Sequence, residues 1–358
     1  MIPLDYIRTL FEKYLSDDQS SDYVTPISKC NEMIRYHRLD MIAIDSPFIF
    51  FDDELILREF SEKKDLIISK NDAYCNEIKL LGSAFQQIPM NYSFLKGSSL
   101  ILNFYKKPYH RYFGDVDLLI SPKDIGTIEK TMLSRGYVYG DYISDKIVGA
   151  SRKSILHHRV YTHELYNMVK IIDSHIINID INFKFSWSGM DASASSEKIF
   201  DLNKMKQNIL TGDYSLSILK NEYQFVHLCS HFYNEAIYFV FDPQYISGTD
   251  PQEILLFRLL DILIVSDKEI DIEIIHTFSL QMDCVYKVEY VISLIQLIMG
   301  DNYTSKFSSY FDIESIFPNY FYKRNGEKKE WPISIEKRLF DFNDREQALN
   351  KLASEGCI

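Results

Sequence analysis

Two aspartates, Asp115 and Asp117, stand two positions apart at the start of an apolar run that ends at Ile120. Because successive side chains of a strand point to opposite faces, a strand here places both carboxylates on one face, about 6–7 Å apart. Carboxylates so placed can ligate a hard cation such as Mg²⁺, which keeps phosphate oxygens in its shell. Bound metals offset the charge that develops in an in-line displacement at phosphorus. The pair therefore indicates nucleotidyl-transfer chemistry.

A third carboxylate usually completes such a site, and Asp180 is the candidate. Apolar and polar residues alternate strictly over 177–183, which predicts a strand with Asp180 on its polar face. If that strand neighbours the first pair, Asp180 can ligate the metal and, as a general base, help to deprotonate an acceptor hydroxyl. Each acidic motif alone is also common on solvated strands, so the prediction depends on their combination.

A turn of small residues, Gly97-Ser98, follows the predicted strand 92–95 and opens a predicted helix, with Ser98 or Ser99 as a candidate cap. Backbone N–H groups at such a helix start bind phosphate. Lys96 and Arg111 flank the turn and the aspartates, and the planar guanidinium of Arg111 suits bidentate phosphate contact. The predicted nucleotide-binding residues are therefore Lys96, Gly97, Ser98 and Arg111.

This combination of turn and acidic residues resembles the uncharacterised bacterial nucleotidyltransferases of the polymerase-β-like superfamily. The signature of that superfamily is a Gly-Gly or Gly-Ser turn, a DxD or DxE pair and a later third acid, matched here by Gly97-Ser98, Asp115 with Asp117, and Asp180. The resemblance is specific over about residues 75–140. It departs from the pattern in a long gap between turn and pair, and in Asn182, where relatives often have histidine.

The resemblance implies an α+β fold, in which a polymerase-β-like core with a mixed sheet flanked by helices precedes a mainly helical domain. The pattern of the residues predicts strands over 155–161, 166–172 and 176–185, a loop over 141–154, and mostly helices over 195–300. The predicted parts are an N-terminal helical extension (1–65), a catalytic domain (66–190), and a helical domain that covers the active site and carries the C-terminal tail (191–358).

Composition restricts the partners of the chain. Its 358 residues carry a net charge of -12, which argues against general DNA or RNA binding and favours a small-molecule or peptide acceptor over a large RNA. The five cysteines are scattered without a CxxC pair, so free thiols in a reducing cytoplasm are expected. The N-terminus lacks the pattern of a signal peptide, and no apolar run is long enough to cross a membrane.

Other site types are less well supported. His227 and His231 stand one helical turn apart, but no glutamate lies between them as in HExxH and no third ligand is evident, which disfavours zinc. The sequence contains no GxxxxGK[ST], GxSxG or GxGxxG motif.

The predicted function is transfer of an NMP group from an NTP such as ATP to a hydroxyl or phosphate of a small-molecule, peptide or RNA acceptor, with release of pyrophosphate. The expected cofactor is Mg²⁺, with Mn²⁺ as the alternative, held by Asp115, Asp117 and Asp180. The alternative reading is a catalytically silent module that keeps the fold and binds nucleotides or proteins.

Overall fold

The computed structural model describes residues 3–16, 24–185, 200–237, 254–314, 317–322 and 327–354. The α-helices are α1 (Pro3–Ser16), α2 (Asn31–Tyr36), α3 (Asp40–Ala43), α4 (Glu54–Gln86), α5 (Lys96–Leu100), α6 (Ile125–Ser134), α7 (Arg152–Tyr161), α8 (Leu202–Met205), α9 (Asn221–Ile237), α10 (Leu256–Ser266), α11 (Ile272–Gln281), α12 (Val285–Met299), α13 (Asp301–Thr304), α14 (Ile335–Phe340) and α15 (Phe342–Ser354). The strands are β1 (Thr25–Pro26), β2 (Ile49–Phe50), β3 (Tyr92–Phe94), β4 (Val116–Ile120), β5 (Val138–Ile143), β6 (Lys146–Gly149), β7 (Met168–Ile172), β8 (His175–Asn182), β9 (Lys206–Thr211), β10 (Tyr214–Leu219), β11 (Tyr320–Tyr322) and β12 (Lys328–Glu330).

The chain divides into two compact units. One comprises residues 62–224, and the other combines residues 1–61 with residues 225–358. Large sheets and many helices occur together in the chain, so the predicted α+β class is confirmed.

The unit of residues 62–224 is built on an eight-stranded mixed sheet with the strand order β6-β5-β7-β8-β4-β3-β10-β9. The β4–β8 and β3–β10 pairs are parallel, and the other neighbours are antiparallel. The central strands β8, β4 and β3 include both segments in which acidic residues were predicted to carry the chemistry.

One face of this sheet carries the core of the unit. Apolar residues at alternate positions of β4 and β8 pack with helices α4 and α6, and truncating one such side chain typically costs about 2–5 kcal/mol. The buried cluster includes Tyr74, Ile78, Leu81 and Phe85 from α4, Ile128 and Met132 from α6, and Val116, Leu118, Ile120, Ile177, Ile179 and Ile181 from the two strands. The intervening residues of β4 and β8 therefore lie on the opposite face.

The segment 155–161 was predicted as a strand, and this prediction is wrong because the segment lies in helix α7. The Oγ atom of Ser151 accepts a hydrogen bond from the backbone N–H of Ser154 at 3.1 Å, which caps the helix start. No residue of α7 is buried, and Leu156 and Val160 are exposed. The apolar residues resemble a strand locally, but the segment has no partner strand.

One other prediction of local structure is wrong. The expected loop 141–154 contains most of the β5–β6 hairpin, whose turn residues Ser144 and Asp145 both have positive φ angles. The region 195–300 was expected to be mostly helical, and most of its described residues lie in helices α8 to α12. It also contains strands β9 and β10, which return to the sheet, where Ile218 pairs with Phe94 in parallel register. The sheet unit extends to residue 224.

The other unit joins the N-terminal residues to the C-terminal half of the chain. Nε of Arg8 donates to the carbonyl oxygen of Ile298 at 2.6 Å. The Nε2 atom of His37 lies at a distance of 2.9 Å from the carbonyl oxygen of Leu339. Its Nδ1 atom accepts a hydrogen bond from the backbone N–H of Leu256 at 3.4 Å. Residues 1–61 thus share one packed unit with residues 225–358 instead of forming an extension of their own.

Two expectations from composition can be compared with the described residues. Within them, no helix combines the length and the apolar character needed to cross a membrane. The described cysteines Cys30, Cys75, Cys229 and Cys284 are buried and free.

Candidate active site

Asp117 and Asp180 lie side by side on neighbouring strands. Strand β4 pairs with β8 in parallel register, and Asp117 is the partner of Asp180 in that register. Both residues alternate with core residues of their strands, so their side chains are on the sheet face opposite α4 and α6. The structure therefore brings together two acidic residues that are 63 positions apart in the sequence.

Asp115 and Glu164 belong to the same electrostatic cluster. Burial raises the pKa of Asp180 well above its usual range, and the charges of Asp115, Asp117 and Glu164 raise it further, while Lys96 opposes the rise. A carboxyl group titrates in this way when like charges surround it without enough cations. The cluster therefore holds an excess of negative charge.

Lys96 is the cation that contacts this cluster. Its Nζ atom lies 2.6 Å from Oδ1 of Asp117, and the Asp117 side chain is only 3% exposed. Burial by itself lowers the pKa of Lys96, but the charges of Asp117 and Asp115 outweigh that effect and raise the pKa above its usual value. The φ angle of Lys96 is +44°, an uncommon conformation for a residue with a side chain. The strained turn aims the ammonium group at the carboxylates.

Ser98 fastens the turn to strand β4. Its Oγ atom is within hydrogen-bond distance of two carbonyl oxygens, 2.6 Å from that of Leu95 and 3.0 Å from that of Asp117. The backbone N–H of Leu95 also donates to the Asp117 carbonyl oxygen at 3.0 Å. Ser98 lies inside helix α5, which starts at Lys96, so it is not the helix cap that the sequence suggested. Its hydroxyl holds the turn in place beside Asp117.

Gly97 provides the space that the neighbouring loop needs. A Cβ atom at this position would clash with Nη1 of Arg111 and would lie 2.7 Å from Cε2 of Phe113. The same Nη1 atom donates to the carbonyl oxygen of Tyr112 at 2.9 Å, and Arg111 is buried. Glycine therefore allows the guanidinium group of Arg111 to pack directly against the turn that carries Lys96.

Helix α4 positions the loop that leads to Asp115. Nδ2 of Asn71 donates to the carbonyl oxygens of Pro108 and Arg111, at 2.8 and 3.0 Å. The hydroxyl of Tyr74 lies 2.9 Å from the Gly114 carbonyl oxygen and 2.8 Å from that of Ile176 in β8. Asn71 and Tyr74 are functional supports that sequence reasoning missed, because nothing local marks which loop a helix residue will contact.

Glu164 is an acidic residue of the cluster that sequence reasoning also missed. It forms an isolated antiparallel bridge with Asn182, flanked by hydrogen bonds from Leu165 N–H to Ile181 and from Phe183 N–H to His163. Burial raises the pKa of Glu164 to about 7. Lys96 opposes this rise, and the charges of Asp117 and Asp115 add to it. Glu164 follows the segment that was predicted as a strand, and no local pattern distinguishes it from a surface glutamate.

Asn182 lies next to Glu164 and on the same strand face as Asp180. Its side chain is buried, at 7% exposure, and its Nδ2 group has no hydrogen-bond partner. A buried amide donor that lacks a partner is unfavourable by about 1–3 kcal/mol, so such a group points to a ligand or an ordered water.

The donor set fits a hard divalent cation in its chemistry. Three aspartates offer oxygen ligands, and the excess negative charge that raises the pKa of Asp180 is the charge such a cation would neutralise. Over the described residues, however, no three His, Cys, Asp or Glu side chains already stand in the arrangement of a metal site. The ammonium group of Lys96 contacts Asp117 instead.

The histidine pair of the other unit has a different environment. The rings of His227 and His231 stack with centroids 6.5 Å apart, and Nε2 of His231 lies 3.3 Å from Oε1 of Glu235. Glu235 in turn lies 2.5 Å from Nη1 of Arg258. His231, Glu235 and Arg258 therefore form a chain of polar contacts on helices α9 and α10.

Similarity to known proteins is found for the chain at the level of a family. The model of the family described as "Uncharacterised nucleotidyltransferase" matches residues 36–300, which is most of the chain. No curated protein matches the chain. Among solved structures, the chain is similar to an antigenic nucleotidyltransferase-like protein from Paracoccidioides brasiliensis, with 10% identity and a TM-score of 0.40, over 69% of this chain and 98% of that one. The chain belongs to the family of uncharacterised nucleotidyltransferases.

Proposed function

We propose that this protein is a Mg²⁺-dependent nucleotidyltransferase. It transfers an NMP group from an NTP such as ATP to an acceptor and releases pyrophosphate, and its sheet unit is a polymerase-β-like core. The observation that carries the proposal is the register pair Asp117–Asp180, set beside the turn that bears Lys96 and Gly97. Membership of a nucleotidyltransferase family supports the same reaction class.

Asp115, Asp117 and Asp180 would hold Mg²⁺, with Mn²⁺ as the alternative. When bound, the metal would neutralise the negative charge that develops on the transferred phosphate and on the leaving pyrophosphate. The carboxylates are held close together before any ligand binds, at the expense of their mutual repulsion. That repulsion makes the cluster selective for cations.

The turn and the neighbouring loop would bind the triphosphate. Lys96 would contact a phosphate oxygen of the triphosphate, since its ammonium group lies 2.6 Å from Oδ1 of Asp117, a carboxylate that would also hold the cation. Arg111 packs against Gly97 and adds a second positive charge at the turn. Ser98 contributes by fixing the turn to strand β4, since its hydroxyl is already engaged with two carbonyl oxygens.

The reaction is an in-line displacement. An acceptor oxygen forms a bond to the α-phosphorus, the bond between that phosphorus and the oxygen bridging to the β-phosphate breaks, and pyrophosphate leaves with the electron pair. The proton of the acceptor would pass to Asp180, which the register pair places beside Asp117 and which is the candidate general base.

A catalytically silent nucleotide-binding module is the second candidate. The ion pair between Lys96 and Asp117 favours it, because a permanently retained lysine would replace the metal.

Small-molecule or peptide acceptors are proposed for the enzyme, in keeping with the net charge of -12.

Incubation with NTPs radiolabelled at the α-phosphate, Mg²⁺ or Mn²⁺, and host-cell lysate separates the two candidates. The enzyme releases pyrophosphate and labels an acceptor, and Asp117→Asn reduces both to background. The matched control Asp145→Asn, at the exposed β5–β6 turn, retains full activity. Nucleotide binding without label transfer or pyrophosphate release, for all four NTPs, would establish the silent module.

A further inference from the structure

Glu164 and Asn182 form a bridge at the edge of the aspartate cluster, and the proposed function assigns neither of them a role. We propose that these two side chains are the acceptor subsite and that the acceptor group is a neutral hydroxyl rather than a phosphate or a carboxylate. This inference rests on the proposed transferase function.

The position of the two residues follows from the backbone. Asn182 is two residues beyond Asp180 on β8, so the two side chains share the sheet face that carries Asp117. Glu164 faces Asn182 across the antiparallel bridge, which places paired side chains on the same face. The Glu164–Asn182 pair therefore lies next to the aspartates assigned to the metal, two residues further along β8 on the same face of the sheet.

The hydrogen-bonding character of the two side chains is complementary. Nδ2 of Asn182 is a buried donor without a partner. The carboxylate of Glu164 is an acceptor whose side chain is 32% exposed, with His163 Nε2 3.4 Å from Oε2. A hydroxyl both donates and accepts, so in the bound complex one acceptor oxygen can receive the Asn182 N–H and donate its proton to Glu164. Rotation about the C–O bond then turns that proton towards Asp180, the proposed general base.

The charge of the site selects against an anionic acceptor. The charges of Asp117 and Asp115 both act on Glu164, and Lys96 is the opposing cation. The bound metal and Lys96 are taken up by the negative charge of the triphosphate. A phosphate or carboxylate acceptor would therefore approach the excess negative charge of the carboxylate cluster, which is strongly unfavourable in a partly desolvated site. An alcohol meets no such repulsion.

Three defined probes test this inference without knowledge of the natural acceptor. The full-length protein is incubated with α-phosphate-radiolabelled NTP, Mg²⁺, and either glycerol, methyl phosphate or acetate. Phosphorus NMR distinguishes the phosphodiester, diphosphate and acyl phosphate products, and hydroxylamine cleaves the acyl phosphate. We expect glycerol to be modified about tenfold faster than either anion, because one missing or repelling contact at a polar site has at least this effect.

Two variants connect the preference to the named residues. Glu164→Gln and Asn182→Ala should each raise the KM for glycerol about tenfold, because the first replaces a charged acceptor by a weaker neutral one and the second removes the donor. Binding of a fluorescent NTP should be unchanged in both, and Asp145→Asn should behave as wild type. Glu164→Gln should also increase transfer to methyl phosphate relative to glycerol, an effect that a purely structural role of Glu164 would not produce.

The outcomes separate the inference from the proposed function. Faster transfer to methyl phosphate or acetate than to glycerol in the wild-type protein keeps the transferase function and overturns the hydroxyl subsite. An unchanged KM for glycerol in both variants also overturns it. If the protein modifies none of the three probes but labels an acceptor in host-cell lysate, the transferase function stands and the hydroxyl subsite is overturned for small alcohols. If it also labels nothing in lysate and releases no pyrophosphate, the transferase function fails, and the inference fails with it.

Discussion

Nζ of Lys96 lies 2.6 Å from Oδ1 of Asp117, so a lysine contacts one of the carboxylates that we propose as ligands of the cation. The residue reaches this position through a left-handed backbone conformation, with φ at +44°. A strained residue at a functional site indicates that the contact is maintained by the surrounding structure rather than by local preference. We interpret the pair as the resting state of the site.

Replacement of Lys96 by methionine should lower the stability of the protein without metal. It should also increase the stabilisation that added Mg²⁺ provides. Loss of one partner from a buried ion pair lowers the free energy of unfolding by about 3 kcal/mol. Mg²⁺ should then raise the urea midpoint more in Lys96→Met than in the wild-type protein, because it no longer competes with an ammonium group. Lys170→Met is the control, since Lys170 pairs with Glu77 at 3.5 Å beside helix α4. An equal response to Mg²⁺ in Lys96→Met and wild type would contradict the interpretation.

Gly97→Ala should disrupt the turn and abolish NTP binding. The added methyl group would clash with Arg111 and lies within 3 Å of the Phe113 ring. Overpacking of this kind destabilises a protein by about 1–3 kcal/mol. Gly126→Ala in helix α6 is the matched control, because a Cβ atom there meets nothing within 4 Å, and alanine in a helix stabilises by about 0.5–1 kcal/mol relative to glycine. Thermal unfolding and nucleotide titration of the two variants measure both effects, and normal NTP binding by Gly97→Ala would refute the role of the turn.

Asp180→Asn should abolish transfer and yet stabilise the protein without ligand at neutral pH. The pKa of Asp180 is raised in the folded state, by burial first and then by Asp115, Asp117 and Glu164. The folded state therefore binds its proton more tightly than the unfolded chain, and stability falls as the pH rises from the usual value of 3.8 through the folded pKa. Asp180→Asn has no carboxyl group at this position, so its stability does not fall for this reason as the pH rises. Urea unfolding from pH 4 to pH 8 should show the two proteins converging at the acidic end, and a less stable variant at pH 8 would be inconsistent with the charge cluster.

His37 should make the protein sensitive to mild acid. Burial lowers the pKa of His37 to about 3, and the charge of Arg345 adds to this effect against the hydrogen bond to the Leu339 carbonyl oxygen. The unfolded chain binds the proton near pH 6.5 and the folded protein does not, so stability falls as the pH drops below 6.5 towards 3. The slope from this residue is about 1.4 kcal/mol per pH unit.

The variant His37→Gln isolates that contribution. Glutamine can still donate to the Leu339 carbonyl oxygen but does not titrate, so the unfolding free energy of the variant should depend less on pH between 6.5 and 4.5 than that of the wild-type protein. Circular dichroism during urea unfolding measures both. Identical slopes in the two proteins would show that His37 does not control the acid response.

Local patterns in the sequence determined the strands and faces that carry the aspartates. Strict alternation over 177–183 separates core residues from Asp180, and Asp117 interrupts the apolar run 116–120, because the side chains of a strand alternate wherever the strand lies. The Gly-Ser turn was likewise visible as a motif, and the family resemblance implied the α+β class.

The tertiary structure alone decided which of these elements meet. Three contacts join residues that are 18 or more positions apart in the sequence. They are the parallel register of Asp117 with Asp180, the bridge between Glu164 and Asn182, and the contact of Lys96 with Asp117. The same is true of residues 1–61, which pack with residues 225–358. Long-range pairing leaves no period in the sequence, because it depends on which surfaces remain to be buried after the local elements have formed. The sequence alone therefore determined which aspartates share a strand face. Only the tertiary structure placed Lys96, Glu164 and Asn182 beside them.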